Sequence, residues 1–162
     1  LNAGCHRIDG LLMLLFQLGN SHYAIPAVEV VEVAPHVELE TIAMAPDCVC
    51  GLFNYRGQHI PVIDLCRLIK NSPCSNSFTS RIILVNYPLA DGTQSVLGLL
   101  AERVTETVNI DADAFTGTGL NMEHAPYLGH AARCDPGLVQ RITVSELLPA
   151  NIQSQLFPAE AG

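Results

Sequence analysis

A chain of 162 residues is of one-domain length, or of two small lobes sharing a core. Its formal net charge of −8 and single lysine, Lys70, argue against a nucleic-acid partner, because phosphate affinity depends on clustered Lys and Arg. No apolar run approaches the ~20 residues of a membrane-spanning helix, and no charged n-region, h-region and cleavage site occur in order, so neither membrane insertion nor secretion is expected.

In chain order, Leu11 to Leu18 reads as a strand ending in the turn signal Gly19-Asn20-Ser21, with His22 to Ile25 as its return and Pro26 as its stop. Val28, Val30, Val31 and Val33 are too β-branched for a long helix; a strand opened by one helical turn fits better. Glu29 and Glu32 within it read equally well as a polar strand face or as binding residues. Val37 to Ile42 alternates in the two-residue strand period, and Ala43 to Asp47, with Pro46, is a connection.

Gly51 to Leu65 is the most distinctive stretch. Two apolar runs break at Arg56-Gly57, which predicts a hairpin whose tight turn uses the glycine for positive φ. Pro61 cannot donate to a ladder, so the second strand is expected at an edge or at a bulge. Arg56 at the tip is either a solvated turn residue or a recognition residue. Asp64 is placed to cap a helical turn bearing Leu65, Leu68 and Ile69.

Asn71 to Ser80 is a polar linker and Arg81 to Tyr87 a strongly apolar strand. The turn signal at Asp91-Gly92 leads to two further strands, Ser95 to Leu100 and Glu102 to Ile110. Asp111 to Gly137 reads as a long loop with at most one helical turn, Leu138 to Val144 as the last strand, and Ser145 to Leu148 as a short helix closed by Pro149. A helical turn follows from Ala150. About eight to ten short strands with little helix point to a mostly β fold, a barrel or a sandwich. Ala27 to Val33 (AVEVVEV) faintly echoes Ala101 to Val108 (AERVTETV), a weak sign of two similar lobes.

Enzyme signatures are mostly absent: the sequence has no GxxxxGK[ST], GxSxG, HExxH or CxxC. Six cysteines at 5, 48, 50, 66, 74 and 134 are scattered and read as reduced structural thiols in a reducing cytoplasm. The alternative to a binding module is a small Cys- or zinc-dependent enzyme, through a cysteine nucleophile or through His124, His130 and Cys134. No cofactor is expected.

Gly51-x-x-Asn54-x-Arg56-Gly57-x-x-x-Pro61-Val62-x-Asp64-Leu65 resembles the signature of the CheW-like family, the coupling proteins of bacterial chemotaxis. Phe16-x-Leu18-Gly19, Tyr23-Ala24-Ile25-Pro26 and Val31-Glu32-Val33 are similar to its opening. Arg81 to Val85 and Gly98-Leu99-Leu100 resemble its middle, and Tyr127-Leu128-Gly129 with Glu146-Leu147-Leu148 its end. The resemblance implies two five-stranded SH3-like β-barrel lobes about a shared apolar core, over residues 12–149, with 1–11 as an extension and 150–162 as a tail. It further implies a non-catalytic adaptor between the cytoplasmic tip of a transmembrane chemoreceptor and the regulatory domain of a histidine kinase. Such a protein is cytoplasmic and associated with receptor arrays; whether an exposed strand edge also lets it self-associate is left open by the sequence. Arg56 and Glu32 fall on motif positions and are expected to contact a partner, in a candidate set completed by Val31, Asn54, Tyr55 and Gly57, of which Asn54 and Gly57 also shape the hairpin. Ala101-Glu102, Gln140 and Arg141 depart from the pattern and point to a divergent paralogue, for instance of a surface-sensing pathway.

Overall fold

The computed structural model describes residues 10–74, 79–117, 126–134 and 137–158. The strands are β1 (Gly10–Leu18), β2 (Ser21–Pro26), β3 (Val30–Pro35), β4 (Val49–Tyr55), β5 (Gln58–Asp64), β6 (Arg81–Pro88), β7 (Gln94–Asp111), β8 (Thr116–Gly117), β9 (His130–Cys134) and β10 (Gly137–Arg141). Helix α1 (Leu65–Lys70) follows β5, α2 (Ala150–Leu156) follows the last strand, and 3-10 turns lie at Ala27–Glu29, Ala112–Ala114 and Val144–Glu146.

The strands form two lobes that share β7. Lobe 1 has the order β7-β1-β2-β10-β9, extended by β8; lobe 2 has the order β3-β6-β7-β5-β4. Taken from the last strand back, each lobe pairs antiparallel, parallel, antiparallel, antiparallel. The lobes are thus one arrangement used twice, as expected for paired SH3-like units, although among the described residues the hydrogen-bonded ladder does not close around either. Lobe 2 is contiguous in sequence, whereas lobe 1 is assembled from stretches on either side of it. Ala27 to Val33 and Ala101 to Val108 occupy equivalent places. Each leaves the third strand of one lobe and becomes the outermost strand of the other.

Burial explains the apolar runs. In β1, Met13 and Leu15 fill lobe 1 with Ala24, Ile110 and Val139, while Leu14, Phe16 and Leu18 face a cluster common to both lobes. In β6, Ile82 and Leu84 fill lobe 2 with Ile60, Val62 and Leu100, while Ile83, Val85 and Tyr87 face the common cluster. Strands covered on both faces have no polar side, so they read as continuous hydrophobic sequence. Gly98 sits where β7 passes between β5 and β6; a Cβ there would lie 2.9 Å from Val62 Cγ2 and 3.1 Å from Ile82 Cγ2.

Several expectations are corrected. Residues 95–110 are not two strands but one of 18 residues, which changes partners between Ala101, opposite Arg81, and Glu102, opposite Gln17. Arg103, at φ 39°, absorbs the bend. Val37 to Ile42 is not a strand; only Glu40 pairs, with Leu52, at the point where Gly51 lets the backbone approach to 2.6 Å from a would-be Cβ. The supposed loop 111–137 contains β8 and β9; β9, whose residues have little β propensity, is held by pairing with β10 on one side and with the two-residue β8 on the other. The last strand ends at Arg141, and Val144 opens a 3-10 turn instead.

Candidate functional site

The β4–β5 hairpin has the expected two-residue turn. Tyr55 pairs with Gln58, and Arg56 (φ 50°) and Gly57 (φ 83°) between them are both left-handed. Positive φ at both central residues is the turn type whose twist matches antiparallel strands, and it favours Asn-Gly. Arginine at the first position carries a left-handed penalty of about 1–2 kcal/mol.

Pairing alternates back from this turn. Leu52 directs its N–H and C=O outward to Glu40, at 2.8 and 3.0 Å, so its partner Pro61 forfeits no bond to β4. The expectation of an edge strand is corrected: β5 lies between β4 and β7, and its pairing with β7 begins only at Val62, so no ladder bond is asked of the missing Pro61 N–H on that side either. The bulge in this hairpin lies on the other strand, between Val49 and Gly51.

Three of the expected contact residues meet. The Tyr55 hydroxyl donates to Glu32 Oε1 at 2.6 Å, and Arg56 Nη2 lies 3.7 Å from the same oxygen. The Arg56 guanidinium also stands 5.1 Å over the Tyr55 ring, which stacks in turn on Phe53. Sharing its proton with a carboxylate raises the Tyr55 hydroxyl above the ordinary tyrosine value, with desolvation adding to the effect. The Arg56 side chain remains 78% exposed and Glu32 44%, so the guanidinium keeps donors turned to solvent. Sequence order hides the meeting, since Glu32 belongs to β3 and Tyr55 to β4, the two outer strands of lobe 2. The period of two does show that Phe53 and Tyr55 share a face, and Phe53 was missed.

Val31 is the extra residue of a bulge, because Val30 lies opposite Val85 and Glu32 opposite Leu84. The bulge leaves Val31, Glu32 and Val33 all exposed before Ala34 turns inward. Asn54 does not join the cluster: it lies on the other face of β4, opposite His59, which is 3.5 Å from Glu40. Gly57 contributes the turn.

Asp64 caps α1 as expected, accepting from Arg67 N–H, and it also accepts from Cys74 N–H. Glu102 reaches the turn of the β1–β2 hairpin and accepts from Gly19 N–H at 2.8 Å. Arg141 stands 5.8 Å over the Phe115 ring. Of the residues considered for zinc, His124 and the Cys134 side chain lie outside the described residues, and His130 is exposed. Burial above all pushes the Cys50 thiol up to about 12 and the Cys66 thiol up to about 11, the reverse of nucleophile activation. Among the described residues no helix is long and apolar enough to cross a membrane.

A two-lobed β scaffold with an exposed, strained arginine at a hairpin tip defines a class of binding module. Residues 12–151 match the CheW-like domain, and the chain belongs to that family. It is 30% identical over 120 residues to the chemotaxis protein CheW of Klebsiella aerogenes, covering 68% of this chain and 72% of that one. Identity to CheW of Helicobacter pylori is 25% over 112 residues, 67% of this chain and 65% of the relative. The crystal structure of the scaffolding protein TtCheW from Thermoanaerobacter tengcongensis superposes with a TM-score of 0.76 at 26% identity, covering 88% of this chain and 90% of that one.

Proposed function

We propose that this chain is a non-catalytic adaptor. It couples the cytoplasmic tip of a methyl-accepting chemoreceptor to the regulatory domain of a chemotaxis-type histidine kinase, in chemotaxis or a related surface-sensing pathway. The observation that carries this reading is the CheW-like match across residues 12–151, joined to a two-lobed fold. The role requires a cytoplasmic location at receptor arrays.

Docking centres on the tip of β4–β5 and the neighbouring strand β3. Arg56 offers charge-assisted hydrogen bonds to a partner carboxylate, and Glu32 and Tyr55 hold its guanidinium in place beforehand. Val31 adds apolar area beside it. A strained residue where asparagine would be relaxed supports a role beyond the turn. The bulge at Val31 and the proline at 35 blunt the free edge of β3, so self-association by strand addition is the weaker use of this face.

The test is recovery of partners from the source cell by wild-type and Arg56→Ala protein, both first shown folded by thermal melting. Wild type should retain a receptor and a histidine kinase. The variant should bind one of them at least about tenfold more weakly, a loss of about 1–2 kcal/mol. Equal recovery would return Arg56 to the status of a turn residue. Recovery of neither partner, where a known coupling protein finds both, would end the adaptor reading.

A further inference from the structure

We propose that Cys66 and Cys74 form an oxidisable pair, whose disulfide covalently staples α1 to the segment that leads from it towards β6. The Cys66 and Cys74 sulfurs lie 2.8 Å apart, closer than unbonded sulfurs normally pack. Both are free thiols, eight positions apart in sequence. Cys66 is buried at the start of α1; Cys74 is half-buried and so offers a route for a small oxidant.

One carboxylate builds the site. Asp64 accepts from Arg67 N–H at 3.2 Å, which fixes the first turn of α1 and with it Cys66. The same group accepts from Cys74 N–H at 3.1 and 3.3 Å, which fixes the second thiol. Cys74 Sγ also lies 3.5 Å from the Leu100 carbonyl oxygen of β7, while Cys50 Sγ is turned to the Val62 carbonyl oxygen at 3.4 Å. The donor atoms of Asp64, Cys66 and Cys74 lie within 4.8 Å of one another, as in a metal triad. Two points favour the disulfide. Asp64 is already committed to backbone N–H groups, and a tetrahedral zinc with bonds of about 2.3 Å would require the sulfurs to part to about 3.7 Å.

Burial first, then the Glu102 and Asp64 carboxylates, push the Cys66 thiol up to about 11 against the opposing hydrogen bond with Cys74 and the Lys70 charge. Burial with the hydrogen bonds to Cys66 and Asp64 pushes Cys74 higher still. Thiolate is therefore scarce and the pair oxidises slowly. Once formed, the disulfide resists reduction, because the thiolates that would leave are themselves destabilised. The pair is a slow, accumulating mark of oxidising conditions, silent in a reducing compartment. With hydrogen peroxide as oxidant, both S–H bonds and the O–O bond break and one S–S bond forms. The sulfurs lose two electrons, peroxide gains them, and two waters leave carrying the thiol protons.

The intact chain, exposed to hydrogen peroxide, alkylated and digested with trypsin without reduction, tests this. Cleavage after Arg56, Arg67, Lys70 and Arg81 places the two thiols in separate peptides, Gly57–Arg67 and Asn71–Arg81, with Cys48 and Cys50 in a third. The expected product is the linked pair of peptides, two hydrogens lighter than their sum, as the first disulfide to appear. Its rate should rise about tenfold per pH unit between pH 7 and 9, as thiolate grows in. Cys74→Ser should abolish it, with Cys74→Ala as a second variant. Absence of the linked pair after prolonged exposure would overturn the proposal, whether the thiols stayed free, paired elsewhere or were oxidised further.

Discussion

The Tyr55 hydroxyl reaches Glu32 at 2.6 Å across the gap between the two outermost strands of lobe 2, where no backbone pairing between β3 and β4 closes the ladder. A side-chain hydrogen bond thus stands where a barrel seam would be. Arg56, at 3.7 Å from the same carboxylate, is held by the seam it adjoins.

This seam should be sensitive to alkali. The tyrosine's pKa is raised from its ordinary 10.0, so its contribution is fully present below that value and is lost as pH rises through the folded one. The stability difference between wild type and Tyr55→Phe, followed by urea unfolding from about pH 8 to about pH 11, should hold steady and then close above about pH 10. A gap that is unchanged at the alkaline end would show that the bond contributes nothing.

Arg56→Asn should separate stability from binding. Asparagine accepts the left-handed conformation that arginine adopts at φ 50°, so the variant should be more stable by about 1 kcal/mol. Partner recovery should fall as for Arg56→Ala. A variant that is no more stable would mean the turn is not strained.

Gly98→Ala places a methyl group against Val62 Cγ2 and Ile82 Cγ2, both on buried branched side chains with little room to turn. Overpacking of this kind should lower stability by about 1–3 kcal/mol in chemical denaturation. Gly57, with nothing near its would-be Cβ, provides the contrast: Gly57→Ala should cost only its left-handed backbone.

Asp64→Ala removes the acceptor for two N–H groups, those of Arg67 and Cys74, from a site that is 5% exposed. Loss of the cap alone should cost about 0.5–2 kcal/mol, and the second N–H should push the total to the upper end. Hydrogen exchange should show faster exchange at the start of α1 than in β1, whose pairing does not involve this residue.

How far the sequence could be read depended on whether neighbours in the chain or distant strands decided each feature. The hairpin at Arg56-Gly57 and the cap at Asp64 were legible because a turn and a helix start are written locally. The continuity of β7 was not. Its polar stretch from Glu102 to Thr107 reads as a new strand, whereas the chain merely bends at Arg103 and exchanges β6 for β1. His130 to Cys134 was invisible as a strand because pairing with β10 and β8, not its own residues, imposes its extended form. The meeting of Glu32 with Tyr55 requires lobe 2 to curl until its outer strands face each other, and neither residue carries a mark of that.

The insertion of one lobe within the other fixes an order of assembly on the ribosome. Lobe 2 can pair all its strands as soon as β7 begins to emerge. The β1–β2 hairpin, made first, must wait for the later part of β7, since Met13 lies opposite Val108. Until then Ile83, Val85, Leu97 and Leu99, destined for the common core, have not received Leu14 and Phe16. A nascent chain stalled at this stage presents an uncovered apolar face, and the latter half of synthesis is when it most needs a chaperone.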